Sequence, residues 1–158
     1  MITIVDLVNT LANFIDNVVK DYRLPVSAIG IEKTKAPQVV KYFLPPKRSS
    51  EAPDFPCVII RPVNGIDDLN EATLKVRIII GAYAEDSQGI INAINIMERI
   101  RLKLYERGTL DNKYCLEKPC HYDIPEEQPH PEYFTSLEVK FNMYTPYEEL
   151  LKWPINME

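Results

Sequence analysis

Between Glu71 and Arg107 the chain changes its apolar period once, and that change limits what it can fold into. From Leu74 to Ala82, side chains alternate. Leu74, Val76, Ile78, Ile80 and Ala82 fall on one side of an extended segment, with Thr73, Lys75, Arg77 and Ile79 on the other. Past Tyr83, Asp86 or Ser87 supplies a side-chain acceptor for the free N–H groups that open a helix. From there Ile90, Ile94, Met97, Ile100 (or Arg101) and Leu104 recur at steps of three and four, which predicts an amphipathic helix ending near Gly108. A strand with one apolar face and a helix with one apolar stripe both need cover, and laying the helix across the sheet satisfies both.

The flanking segments supply the rest of a layer. Ile4, Leu7 with Val8, Leu11, Phe14 with Ile15, Val18 and Tyr22 predict an N-terminal helix that ends by Leu24, before Pro25. Val26 to Ile31 reads as irregular or extended. Val39 to Leu44, bracketed by Pro37 and Pro45-Pro46, reads as a short edge strand. Pro45 to Phe55 reads as a mobile polar loop. Phe55 to Pro62 is a mostly apolar, β-branched run suited to a buried strand, and a loop over Asn64 to Asn70 returns it into the Glu71 strand as a hairpin. After the second helix, Tyr114 to Ile124 alternates with an interruption at Pro119, and Tyr133 to Tyr144 alternates without one. The expected fold is α+β, with a mainly antiparallel sheet of four to five strands and two helices packed on one face. It forms one domain over residues 1–158: N-terminal helix to residue 24, core over 55–145, tail over 146–158.

Composition removes several function classes. No window approaches the ~18 uninterrupted apolar residues of a membrane span, and Asp6, Asn9, Asn13 and Asp16 break the N-terminal stretch that a signal peptide would need. Cys57, Cys115 and Cys120 are an odd set read as reduced thiols. A net charge of −5 argues against general nucleic-acid binding.

The chemistry-bearing residues are sparse. No phosphate-binding glycine loop, nucleophile elbow or zinc-protease motif is present. Cys115, Cys120, His121 and His130 are the one group with soft ligands, yet strand alternation sends Cys115 and Cys120 to opposite faces, so no metal site is assigned. Glu126 and Glu127 lie in a proline loop and read as a solvated or interface-facing acidic turn, not an acid/base couple. Two readings stay open for Lys75 and Arg77, which share a face with Glu138 and Lys140 of the last strand: a solvated sheet side, or the lining of a subunit interface or channel. Tyr83, Tyr133, Phe134, Tyr144, Tyr147 and Trp153 gather near strand ends and the tail, and such aromatics favour interfaces. The candidate interface residues are accordingly Asp67, Asp68, Lys75, Arg77, Glu126, Glu127, Tyr133 and Trp153, with no catalytic, cofactor or metal residue among them.

Several runs taken together resemble a known family. They are Phe55-Pro-Cys-Val-Ile-Ile-Arg-Pro, Ala72-Thr-Leu-Lys-Val-Arg-Ile-Ile-Ile-Gly-Ala-Tyr, Asp86-Ser-Gln-Gly, Met97-Glu-Arg-Ile-Arg and Ile124-Pro-Glu-Glu-Gln-Pro-His-Pro. Over about Phe55 to Tyr144 the chain resembles phage and prophage tail terminator, or head–tail joining, proteins. The resemblance implies an α+β virion subunit without enzymatic activity or cofactor. It also implies a homo-oligomeric ring, commonly hexameric, that caps the tail tube and meets the head connector. DNA would pass through such a ring without being read in sequence, and the subunit would reside in the virion tail or neck after assembly in the host cytoplasm. A head completion, neck or minor tail protein is the alternative. A small hydrolase or ligand-binding domain using Cys120, His121 and His130 ranks behind both.

Overall fold

The computed structural model describes residues 2–26, 34–44 and 54–143. Helix α1 (Ile4–Val19) starts on Thr3, whose side-chain oxygen accepts from the Asp6 N–H at 3.0 Å. It buries Leu7, Val8, Leu11, Ala12, Ile15, Val18 and Val19. Ile4, expected in the stripe, sits in the first turn and stays 48% exposed, and Tyr22 lies beyond the helix, packed at the edge of the core. Short strands β1 (Leu24–Pro25) and β2 (Thr34–Lys35) pair with each other.

The main sheet holds β3 (Gln38–Lys41), β4 (Cys57–Asp67), β5 (Ala72–Tyr83), β6 (Thr109–Leu110), β7 (Tyr114–Asp123) and β8 (Glu132–Asn142), in the order β3-β4-β5-β8-β7-β6. The class is α+β, as expected, but among the described residues the sheet has six strands, not four to five, and is mixed. The two-residue β6 adds a strand, and β3, which does form an edge strand, runs parallel to β4. The other pairings are antiparallel.

The β4–β5 hairpin also runs further than its sequence suggests. Asn64 to Asp67, expected in a loop, continue β4 past an irregularity at Pro62 to Asn64, and pairing holds until Asp67 faces Ala72. In β7 the pairing with β8 shifts between Glu117 and His121, around Pro119.

Both helices cover one sheet face, α1 over β3 and β4 and helix α2 (Gln88–Arg107) over β5 and β8. Val58, Ile60, Leu74, Val76, Ile78, Ile80, Leu137, Val139 and Phe141 supply the sheet side of this core. Helix α2 is rotated from its expected setting. It buries Gly89, Ala93, Ile96, Met97, Ile100 and Leu104, while Ile90 and Ile94 are only half-buried. The cause lies in β8. A Cβ at Gly89 would collide with the Tyr133 ring, so only glycine lets the helix start come down there, and one turn later Thr135 Oγ1 donates to the Ala93 carbonyl at 3.1 Å. Small residues thus face the sheet where the helix is closest, and the large isoleucines turn to its flanks. The helix opens on Asp86, whose carboxylate accepts from the Gln88 N–H at 3.0 Å, while the Ser87 side chain makes no cap bond.

The first turn of α1 is clasped to the β6–β7 turn. Asp6 Oδ2 accepts from Lys113 Nζ and from the Tyr114 hydroxyl, each at 2.7 Å, and Tyr114 is fully buried. The expected mobile loop lies outside the described residues from Pro45 to Pro53; Phe55 at its end is buried. Tyr144, Tyr147 and Trp153 of the tail also lie outside the described residues.

Candidate interface on the helix-free sheet face

The sheet face away from α1 and α2, which carries no helix among the described residues, is divided into an apolar end and a charged middle. At the apolar end Phe55, Cys57 and Ile59 are buried together, with Val40, Leu44, Ile79, Tyr83 and Phe134 packed against them. The Phe55 and Phe134 rings meet edge to face at 5.4 Å, and Gly81 is a glycine because a Cβ there would enter the Phe55 ring. Burial pushes the Cys57 thiol up to about 12, which leaves it protonated and unreactive at neutral pH.

Register builds two charged rungs next to this cluster. Arg61, Arg77, Glu138 and His121 face one another in turn across β4, β5, β8 and β7. Asn64, Lys75, Lys140 and Glu117 form the next rung. In the first, Arg77 donates to Glu138 at 3.1 Å, and Arg61 donates to the Tyr42 carbonyl at 2.9 Å while lying over the Phe43 ring. In the second, Lys75 stands directly opposite Lys140, and the Glu117 carboxylate accepts from Asn142 at 3.2 Å. Opposed like charges in a sheet cost stability. The two rungs hold four cationic side chains, Arg61, Arg77, Lys75 and Lys140, against the carboxylates of Glu138 and Glu117, a local excess of positive charge within an acidic chain.

Where the two regions meet lies a hollow of about 450 Å³. Ile79, Phe134 and Pro125 give it apolar walls, and Arg77, His121, Asp123 and Glu138 border it.

The acidic candidates sit at opposite ends of the sheet. Asp67 and Asp68 lie at the tip of the β4–β5 hairpin, and Glu126 and Glu127 are exposed in the turn between β7 and β8. Asp68 is committed to its own turn: its N–H donates to the Glu71 carbonyl at 2.7 Å, and its carboxylate accepts from the N–H groups of Asn70 at 2.8 Å and Glu71 at 2.7 Å. Asp67 and Glu71 flank it, and Leu69 at the apex is 96% exposed. The β7–β8 turn is held by Gln128, which accepts from the Phe134 N–H at 2.7 Å and donates to the Pro125 and Phe134 carbonyls.

The structure thus brings Lys75 and Arg77 together on one face and keeps Asp67 and Asp68 apart from Glu126 and Glu127. Tyr133 is half-buried, its hydroxyl 2.9 Å from His130 Nδ1 and its ring against Gly89, so it serves helix placement first. Trp153 lies outside the described residues. Cys115 is exposed, Cys120 is half-buried beside the core, and among the described residues no group of three or more Cys, His, Asp or Glu is placed to hold a metal ion. Sequence reasoning missed Arg61 and Leu69 as site residues. The hairpin register would have placed Arg61 opposite Arg77, and a leucine between Asp68 and Asn70 in a turn was itself the signal for the second. No helix among the described residues is long and apolar enough to cross a membrane. In comparisons with family models and with curated proteins, nothing matches the chain.

Proposed function

We propose that this chain is a ring-forming structural subunit of a phage tail or neck, of the tail terminator type, that caps the tail tube and meets the head connector. One observation carries the reading: the subunit bears two unlike patches, a cationic helix-free face and an acidic hairpin tip with an exposed leucine. Unlike patches set apart on one subunit are what head-to-tail closure into a ring requires, each copy offering a different patch to each of its two neighbours. The sequence resemblance over Phe55 to Tyr144 supports the same reading, and the proposed place in the virion rests on it alone. The face holds charges already engaged with one another, as Arg77 is with Glu138, which suits setting register between copies better than catalysis.

Light scattering on the full chain after size exclusion, with negative-stain images, tests the reading. The expected result is a closed ring, stabilised on tail tubes. A strict monomer at every concentration, with and without tail tube protein, contradicts it.

A further inference from the structure

We infer that the tip of the β4–β5 hairpin docks, Leu69 first, into the hollow on the helix-free face of a second copy of this chain. The inference rests on the ring reading and names the surfaces that would join one subunit to the next.

Leu69 is 96% exposed at the apex of a turn, a position that asparagine or glycine would fill without an apolar cost. The turn is preformed by the Asp68 bonds to Asn70 and Glu71, so docking it orders little additional chain. Ile66 at 51% and Val63 at 37% exposure continue the apolar surface down the hairpin.

The hollow is matched to this knob in chemistry and in layout. Its volume of about 450 Å³ leaves room for a leucine side chain with part of the turn, and Ile79, Phe134 and Pro125 line it. Arg77 borders it on the side toward Lys75 and Lys140, since the two rungs follow one another along β5 and β8. Successive residues on one strand face are roughly 7 Å apart. A tip with Leu69 seated over Ile79 therefore brings Asp67 and Glu71 within reach of Arg77 and, beyond it, the Lys75 and Lys140 pair. Asp123 and Glu138 also border the hollow and repel the tip carboxylates, which favours the orientation that turns them toward the lysines. The opposed Lys75 and Lys140 charges, balanced within one subunit only by Glu117 across from Lys140, would then be met by the acids of the next. A chain cannot fill its own hollow. Asp67 faces Ala72 at one end of the sheet, while Ile79 and Ser136 face each other toward the other end.

The test uses the full chain in three forms: the parent, Leu69→Glu, and the double variant Lys75→Glu with Lys140→Glu, each checked for native circular dichroism. Sedimentation should show the parent as a ring, and each variant with a self-dissociation constant raised about thirtyfold or more, the scale of a hot-spot loss. An equimolar mixture of the two variants should form dimers that grow no further, because the tip of the lysine variant still fits the face of the Leu69 variant and every other junction is broken. A second measurement is independent of the lysine variant's folding. With a photoreactive benzoylphenylalanine in place of Asn70, irradiation should crosslink to residues 121–138 of another copy. Rings that persist in both variants, or crosslinks that map elsewhere, overturn the docking and leave the ring reading standing. A parent that stays monomeric and yields no intermolecular crosslink overturns both.

Discussion

Truncating Ile96 and Ile94 separately distinguishes the observed setting of α2 from the one its sequence pattern favours. Ile96 is 0% exposed and enclosed in the core between the helices and the sheet, whereas Ile94 is half-buried. Ile→Ala at a fully enclosed site costs about 2–5 kcal/mol, because a cavity term adds to lost transfer free energy. For Ile96, with the helix pinned by Gly89 and the Thr135 bond to Ala93, relaxation into the cavity is restricted and about 3 kcal/mol is expected. At Ile94 no closed cavity forms, and the partial burial leaves about 1 kcal/mol. The difference of about 2 kcal/mol corresponds to a gap of roughly 4–8 °C in melting temperature for a chain of this size. Urea unfolding followed by circular dichroism, with the slope unchanged, measures it directly. Equal losses, or a larger loss at Ile94, would show that the helix presents its isoleucine stripe to the sheet and that the packing described here is wrong.

Two further outcomes follow from contacts around the core. Gly89→Ala should lower the unfolding midpoint although alanine favours helix, because the added methyl meets the Tyr133 ring; the loss should largely vanish in a Tyr133→Ser background, and persistence there would place the clash elsewhere. The clasp on α1 should act within a pH window. Hydrogen bonds from Lys113 and Tyr114 lower the Asp6 pKa from 3.8, so this stabilisation is present above that value and is lost as pH falls through the lowered one. Burial and the bond to Asp6 push Tyr114 up to about 12, so its share is present below the ordinary value of 10 and is lost as pH rises through about 12. Asp6→Asn should thus destabilise clearly at pH 7 and progressively less as pH falls below 3.8 in urea titrations; a gap that is constant with pH would remove the carboxylate from the account.

Periodicity made much of this fold legible. The alternation of β5 and β8 identified their buried and open faces, and with them the place of Lys75 and Arg77. What it did not reveal depended on partners remote in sequence. The phase of α2 is decided by Tyr133 and Thr135, and a pattern that weighs hydrophobicity chooses Ile90 and Ile94 over Gly89 and Ala93. The true extent of the β4–β5 hairpin was hidden because Asn64, Gly65, Asp67 and Asp68 carry turn chemistry, while pairing with Lys75, Leu74 and Ala72 holds the first three as strand. Arg61 joined the charged face only once that register was known. The rung of Lys75 against Lys140 likewise exists only through the pairing of β5 with β8, and no local signal announces it.

The strand order also bears on how the molecule comes into being. The last strand of the described chain, β8, lies between β5 and β7 in space, at the middle of the sheet and not at its rim. As the chain leaves the ribosome, the length of β5 from Thr73 to Tyr83 stays an open, largely apolar edge until Glu132 to Asn142 emerge. Neither half of the sheet can close early. A nascent or nicked chain that stops before β8 is therefore two unjoined fragments of sheet with sticky edges, a natural client for chaperones and proteases, and joining of those fragments waits on the synthesis of β8.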